Sequence, residues 1–252
     1  MPKRILAIHA HPDDVEILAG GTLALLAERG HQIWIATMTA GDCGSAELPP
    51  EQISAIRLEE ARTAARMIGA EYRCAGFLDL AVAHDDPSRR RVTEMLREAR
   101  PDIVLAASPV DYMNDHEAAS ALVRDACFGA PIPNYRCGDS KPLAAIPHLY
   151  YMQPIANEDH DGKLVRPAFA VDIGGVLERK CRMLACHASQ REWLRAHHGL
   201  DEYLEAMKRW ARQLGGLAGW EYAEGFRPYH GHPYPRTPLL EELLEGLVRR
   251  LS

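Results

Sequence analysis

His11, Asp13 and Asp14 share one short stretch, AHPDDVEIL, directly after the apolar run RILAIHA. Two carboxylates and an imidazole on a single turn suit a divalent cation, since zinc takes nitrogen and oxygen ligands at ~2.0–2.2 Å. The glycines that let backbone amides approach a pyrophosphate are missing there, and the anionic turn would repel phosphate. A second histidine, His116, follows another buried run in DIVLAASPVDYMNDHEAAS. If the two strands are sheet neighbours, both histidines face one crevice. His11-x-x-Asp14 with His116 then supplies three protein ligands and leaves a fourth position for water, the arrangement of a catalytic zinc site. The competing reading is that Asp13 or Asp14 merely caps the helix that follows, which aspartate does well.

The elements that must hold these residues read as an alternation of strand and helix. Buried or amphipathic runs predict strands at 4–10, 31–39, 72–78 and 102–107, and helices at 16–30, 50–69, 88–99 and near 116–128. Right-handed crossovers turn such an alternation into a mostly parallel sheet with helices on both faces, a Rossmann-like α/β three-layer sandwich. Ligands in that fold sit outside the C-terminal ends of the strands, where His11 to Asp14 fall. Beyond 128 the chain turns Pro-rich, then shows strand-like HLYYMQP and AFAVDIG and helices at about 175–197 and 200–214. FRPYHGHPYPRTP at 226–238 reads as an ordered Pro/His-rich arm without regular structure. No composition shift marks a second domain, so residues 1–252 are expected to form one.

Composition narrows the function classes. At 252 residues, 47% hydrophobic and 25% charged, the chain is an ordinary globule, and a formal charge of −6 gives no field for nucleic acid or anionic lipid. No segment is apolar over the ~20 residues that a membrane span needs. The N-terminus does not read as a secretory signal. Six cysteines without a C-x-x-C pair fit reduced thiols in a cytoplasm.

AHPDDVEILAGGTLA is similar to the A-H-P-D-D-E-x-x-x-G-G opening of the LmbE/PIG-L family of zinc-dependent N-deacetylases. TAGDCG at 39–44, RLEEARTAARMIG at 57–69, DHEAAS at 115–120 and KCRMLACHASQREWLR at 180–195 follow in the family's order, so the likeness runs over about residues 4–225. The resemblance implies hydrolysis of an N-acyl group, usually acetyl, from an amino-sugar conjugate. It implies zinc (or ferrous iron) on His11, Asp14 and His116, and Asp13 as the general base that activates the water. It also places Arg57 near the substrate and His187 and Gln190 along the pocket. Read from the residues alone, Arg57 is equally a helix arginine pairing with Glu59 or Glu60, and His187 a surface or buried hydrogen-bonded histidine. Asp42 and Trp193 are weaker candidates, Trp193 being a core residue on its type.

One position departs from the family pattern. Where relatives read H-x-D-H or H-x-N-H, this chain reads MNDH, with Met113 in place of a histidine that serves the oxyanion or the leaving amine. A thioether does neither, so His187, Tyr112 or a water must take over, or the chemistry differs. The main expectation is therefore a zinc N-deacetylase. The alternatives are a zinc hydratase or lyase acting on a carboxylated metabolite, and a non-catalytic metal- or sugar-binding protein. A closed homo-oligomer, with the 226–238 arm over a neighbour or the pocket mouth, completes the expectation.

Overall fold

The computed structural model describes residues 1–191 and 202–251. Eight strands form one sheet in the order β3-β2-β1-β4-β5-β7-β6-β8. The first five, β1 (Arg4–His9), β2 (Gln32–Thr39), β3 (Glu71–Phe77), β4 (Ile103–Ala106) and β5 (His148–Met152), run parallel. Their order reverses direction at β1, whose two neighbours are β2 and β4, and such a switch point opens a crevice at the strand ends.

Alternation along β1 divides the core. Ile5 and Ala7 face the cluster of α1 (Asp14–Glu28) and α2 (Pro50–Arg66), while Leu6 and Ile8 face that of α3 (Asp86–Ala99) and α4 (Asn114–Gly129). Helix α1 is covered nearly all round, with twelve of its fifteen residues buried. Its Gly21 is needed for that: a Cβ there would lie 2.7 Å from the Ile173 side chain.

The sheet is mostly parallel, as expected, and its far end is where the structure departs from the sequence reading. β6 (Phe169–Asp172), β7 (Ala223–Pro228) and β8 (Val248–Arg250) pair antiparallel, so the parallel arrangement stops at β5. Residues 226–228 of the expected irregular arm belong to β7, with Phe226 opposite both Met152 and Phe169. Farther along the arm, Tyr234 is buried in the α4 cluster, donates its hydroxyl to the Arg124 carbonyl, and meets Tyr229 edge-on at 4.7 Å. The expected helix over 175–197 is also interrupted. α5 (Leu177–Ala185) stops two residues before His187, and α6 (Glu202–Ala218) begins after the undescribed segment that contains Trp193. Short α7 (Leu239–Leu243) precedes β8. No helix of the described residues is long and apolar enough to cross a membrane.

Candidate metal centre

The chain leaves β1 at His9 and must turn sharply to start α1 at Asp14. The turn is made at Asp13, which adopts φ 108°, ψ −30°, in the left-handed half of the map where a β-carbon is disfavoured. No side chain caps the helix there, which removes the capping reading of Asp13. Instead the twisted backbone sends the two carboxylates to different partners. Asp14 Oδ2 accepts from the His11 amide at 2.8 Å and lies 2.6 Å from His9 Nδ1. Asp13 Oδ2 accepts the Tyr203 hydroxyl at 2.6 Å and faces Arg57 Nη2 at 3.6 Å.

Across the switch point, the loop after β4 brings His116 onto the same spot. His11 Nδ1 and His116 Nε2 are 3.2 Å apart, and Asp14 Oδ2 lies 3.4 Å from the first and 3.5 Å from the second. Ligand atoms ~2.0–2.2 Å from a small divalent ion at near-tetrahedral angles stand about 3.2–3.6 Å apart, so this triangle has the right size. The trio His9, Asp14 and His116 also brings ligand atoms within 4.8 Å of one another. In that set, however, the 2.6 Å between His9 Nδ1 and Asp14 Oδ2 is too short for two ligands of one ion and right for a hydrogen bond. His9 therefore orients Asp14 from behind.

A ring of further carboxylates backs the imidazoles. Asp111 Oδ1 lies 3.1 Å from His116 Nδ1, and Asp115 Oδ2 and Asp79 Oδ1 lie 3.6 and 3.8 Å from His11 Nε2. Negative charge is in excess, and the titration of the site registers it. Burial alone would lower the His11 imidazolium, but Asp115, Asp14 and Asp79 raise it to about 10. His116 is raised against its burial by Asp14 and Asp111.

The neighbouring aspartates are pushed apart. Burial would raise Asp14, yet His9, His116 and His11 hold it well below the usual carboxylate range. Asp13 is raised, by burial first and by the Asp14 charge, with Arg57, His187 and Tyr203 opposing. One carboxylate is thus held anionic, and its neighbour is easier to protonate.

The other expected residues fall in three places. Arg57 is 5% exposed, so it is no surface helix arginine; its Nη2 donates to the Pro12 carbonyl at 2.8 Å and it fills the space a side chain at Gly41 or Gly44 would take. Gln190 Nε2 donates to the Gly44 carbonyl at 2.9 Å, tying down the 39–44 loop, and Asp42 Oδ1 accepts from the Asp79 amide. His187 is fully buried 3.6 Å from Glu16 Oε1, on the Asp13 side of the turn. Met113 is part-exposed at the start of α4, its carbonyl accepting from His116 N and Glu117 N. Beside it Tyr112 sets its ring edge-on to His116, centroids 5.4 Å apart. Burial and the charges of Asp14, Asp111 and Asp13 raise its hydroxyl to about 12. Trp193 lies outside the described residues.

Sequence reasoning missed His9, Asp79, Asp111, Asp115 and Tyr203. A histidine inside the apolar RILAIHA run and two aspartates just before His116 were visible signals. Tyr203 carried none, lying 190 residues from the carboxylate it touches.

A family model for PIG-L, the GlcNAc-PI de-N-acetylases, matches residues 6–127, which include the whole His11–Asp14–His116 triangle. The 2'-N-acetylparomamine deacetylase of Streptomyces fradiae is 30% identical over 257 residues, covering 89% of this chain and 86% of its own. The N,N'-diacetylchitobiose deacetylase of Pyrococcus horikoshii superposes with a TM-score of 0.79 at 25% identity, over 94% of this chain and 88% of its own. The 4-carboxy-2-hydroxymuconate hydratase of Pseudomonas putida superposes with a TM-score of 0.76 at 26% identity, over 93% and 98%. With its opening motif on the turn that gathers the triangle, the chain belongs to the PIG-L (LmbE-like) family.

Proposed function

We propose that this protein is a zinc-dependent enzyme that hydrolyses an N-acyl group, in the first instance acetyl, from an amino sugar or amino-sugar conjugate. The observation that carries the reading is the triangle of 3.2, 3.4 and 3.5 Å formed by His11, Asp14 and His116, with a separately held carboxylate, Asp13, on the same turn. Zinc bound there would lower the pKa of a water to ~7 and polarise the amide carbonyl.

The chain's own groups divide the remaining work. Asp13 accepts the proton of the attacking water and returns it to the departing amine, a role that its raised pKa suits. Arg57 and Tyr203 fix its carboxylate from behind, so Arg57 acts by positioning. His187 is buried 3.6 Å from Glu16, and the Glu16 and Asp13 carboxylates favour its charged form on that side. The donor that Met113 cannot be is Tyr112, whose ring is set edge-on against His116. Met113 contributes an apolar wall.

The assay is acetate release by the purified zinc-loaded protein from N-acetylglucosamine and its glycosides, run beside hydration of unsaturated keto acids. Acetate release supports the deacetylase. Hydration without acetate release supports the second reading, a carboxylate hydratase, which the similarity to the Pseudomonas putida hydratase favours. Neither activity at full metal loading would leave a binding protein.

A further inference from the structure

Three large apolar side chains stand out for their exposure. Apart from Met1 at the terminus, Leu80 and Tyr112 at 70% and Leu78 at 66% are the most exposed of the large hydrophobic residues described. All three belong to segments that reach the metal triangle. Tyr112 meets His116 edge-on, and Leu78 and Leu80 precede and follow Asp79, whose Oδ1 is 3.8 Å from His11 Nε2.

The leucines are held outward by their backbone. The Asp79 amide donates to Asp42 Oδ1 at 2.8 Å, Asp79 Oδ2 accepts from the Cys43 amide at 3.0 Å, and the Leu80 amide donates to Asp115 Oδ2 at 2.7 Å. The same Asp115 oxygen is 3.6 Å from His11 Nε2, so one carboxylate joins the leucine segment to the metal triangle. Leu80 takes φ 61°, a left-handed conformation that leucine seldom adopts and that persists only when its surroundings impose it. A bulky apolar residue kept in a strained, solvent-facing posture at the mouth of a small-molecule site is a prearranged contact surface.

On the deacetylase reading, on which this inference rests, we infer that the substrate carries an alkyl or aryl aglycone, and that Leu78 and Leu80 form the subsite that binds it. The acyl group has to reach the buried carboxylates beside Tyr112, so the leucine side chains, about two-thirds exposed, meet the opposite end of the substrate. A free monosaccharide leaves them in water. An apolar aglycone covers them, and discrimination by such a surface is commonly about tenfold or more.

The test compares acetate release from methyl and phenyl 2-acetamido-2-deoxy-β-glucopyranoside by the zinc-loaded protein and by its Leu78→Ser/Leu80→Asn variant, asparagine being chosen because it tolerates positive φ. The expected result is a kcat/KM about tenfold higher for the phenyl glycoside, carried mainly by KM, because the contact is equally present in ground and transition states. In the variant that ratio falls to about one, while the rate on the methyl glycoside stays as it was. Equal kcat/KM for the two glycosides in the wild type, or an undiminished preference in the variant, overturns the subsite. If neither glycoside releases acetate, the deacetylase reading itself fails. Calorimetric binding of the same pair then decides the subsite: tighter phenyl binding in the wild type alone supports it, and equal binding overturns it.

Discussion

Two buried polar clusters touch helix α1, and they differ in how far their atoms are satisfied. In its middle, Glu224 reaches in from β7: Oε1 accepts from the Gly21 amide at 2.8 Å and Lys180 Nζ at 2.6 Å, and Oε2 accepts from the Thr22 amide at 2.7 Å. Lys180 and Glu224 are 1% and 2% exposed, and both carboxylate oxygens are matched. At the start of the helix the cluster is left open. His9 Nε2, Asp79 Oδ1 and Asp115 Oδ1 are buried without a hydrogen-bond partner, and acidic groups crowd two histidines. A closed ionic network locks packing, whereas an open one retains an unmet need for a ligand. The helix thus carries its anchor and its site one after the other.

The largest expected effect separates catalysis from structure within the open cluster. Asp13→Asn should lower kcat by ~10²–10⁴-fold, because the amide cannot accept the water's proton, while metal content and melting temperature stay close to wild type. Steady-state kinetics beside metal analysis check this, and near-normal turnover would take Asp13 out of the chemistry.

Next in size is the closed cluster. Lys180→Met leaves Glu224 buried without its cation and should cost about 3–5 kcal/mol of stability in urea unfolding, with metal stoichiometry of the folded protein unchanged. Adding Glu224→Gln should restore most of the loss, since the amide oxygen still serves α1. If Lys180→Met instead empties the metal site and leaves stability untouched, the contrast between the clusters is wrong.

Tyr112→Phe removes a hydroxyl and keeps the ring. Loss of one oxyanion donor is typically worth ~10²–10³-fold, so kcat should fall by about that factor with little change in KM. A fall confined to KM would make Tyr112 a binding residue only.

The smallest effect is a pH slope. His187 is raised against its burial by Glu16 and Asp13, so the folded state prefers it protonated. That contribution is complete below the ordinary imidazole value and disappears as pH rises through the elevated one. The wild type should lose stability from neutral pH upward, and the unfolding free energy of His187→Asn should show a flatter course. Identical profiles would contradict it.

How legible this was in the sequence depended on separation along the chain. β1 and the turn to α1 were readable because apolar run, breaker and ligands fall within fifteen residues. His116 followed because β4 is as apolar as β1 and precedes the same kind of loop. Phe226–Pro228 was misread as irregular because its proline-rich neighbourhood resembles a loop, and only pairing with β5 and β6 makes it a strand. The break before His187 was hidden by helix-forming neighbours, and no local signal marks a residue that turns inward to meet Glu16. The Tyr203 contact, the carboxylate ring and the positive φ of Asp13 are products of tertiary structure alone.

The central claim is that His11, and not His9, completes the metal triangle with Asp14 and His116. Elemental analysis of purified wild type, His11→Ala and His9→Gln after zinc loading and desalting tests it directly. About one zinc per chain is expected in the wild type, almost none in His11→Ala, and a weakened but present ion in His9→Gln, because removing a group behind a ligand typically costs ~10–100-fold in affinity. Full zinc in His11→Ala together with an empty His9→Gln would contradict the account.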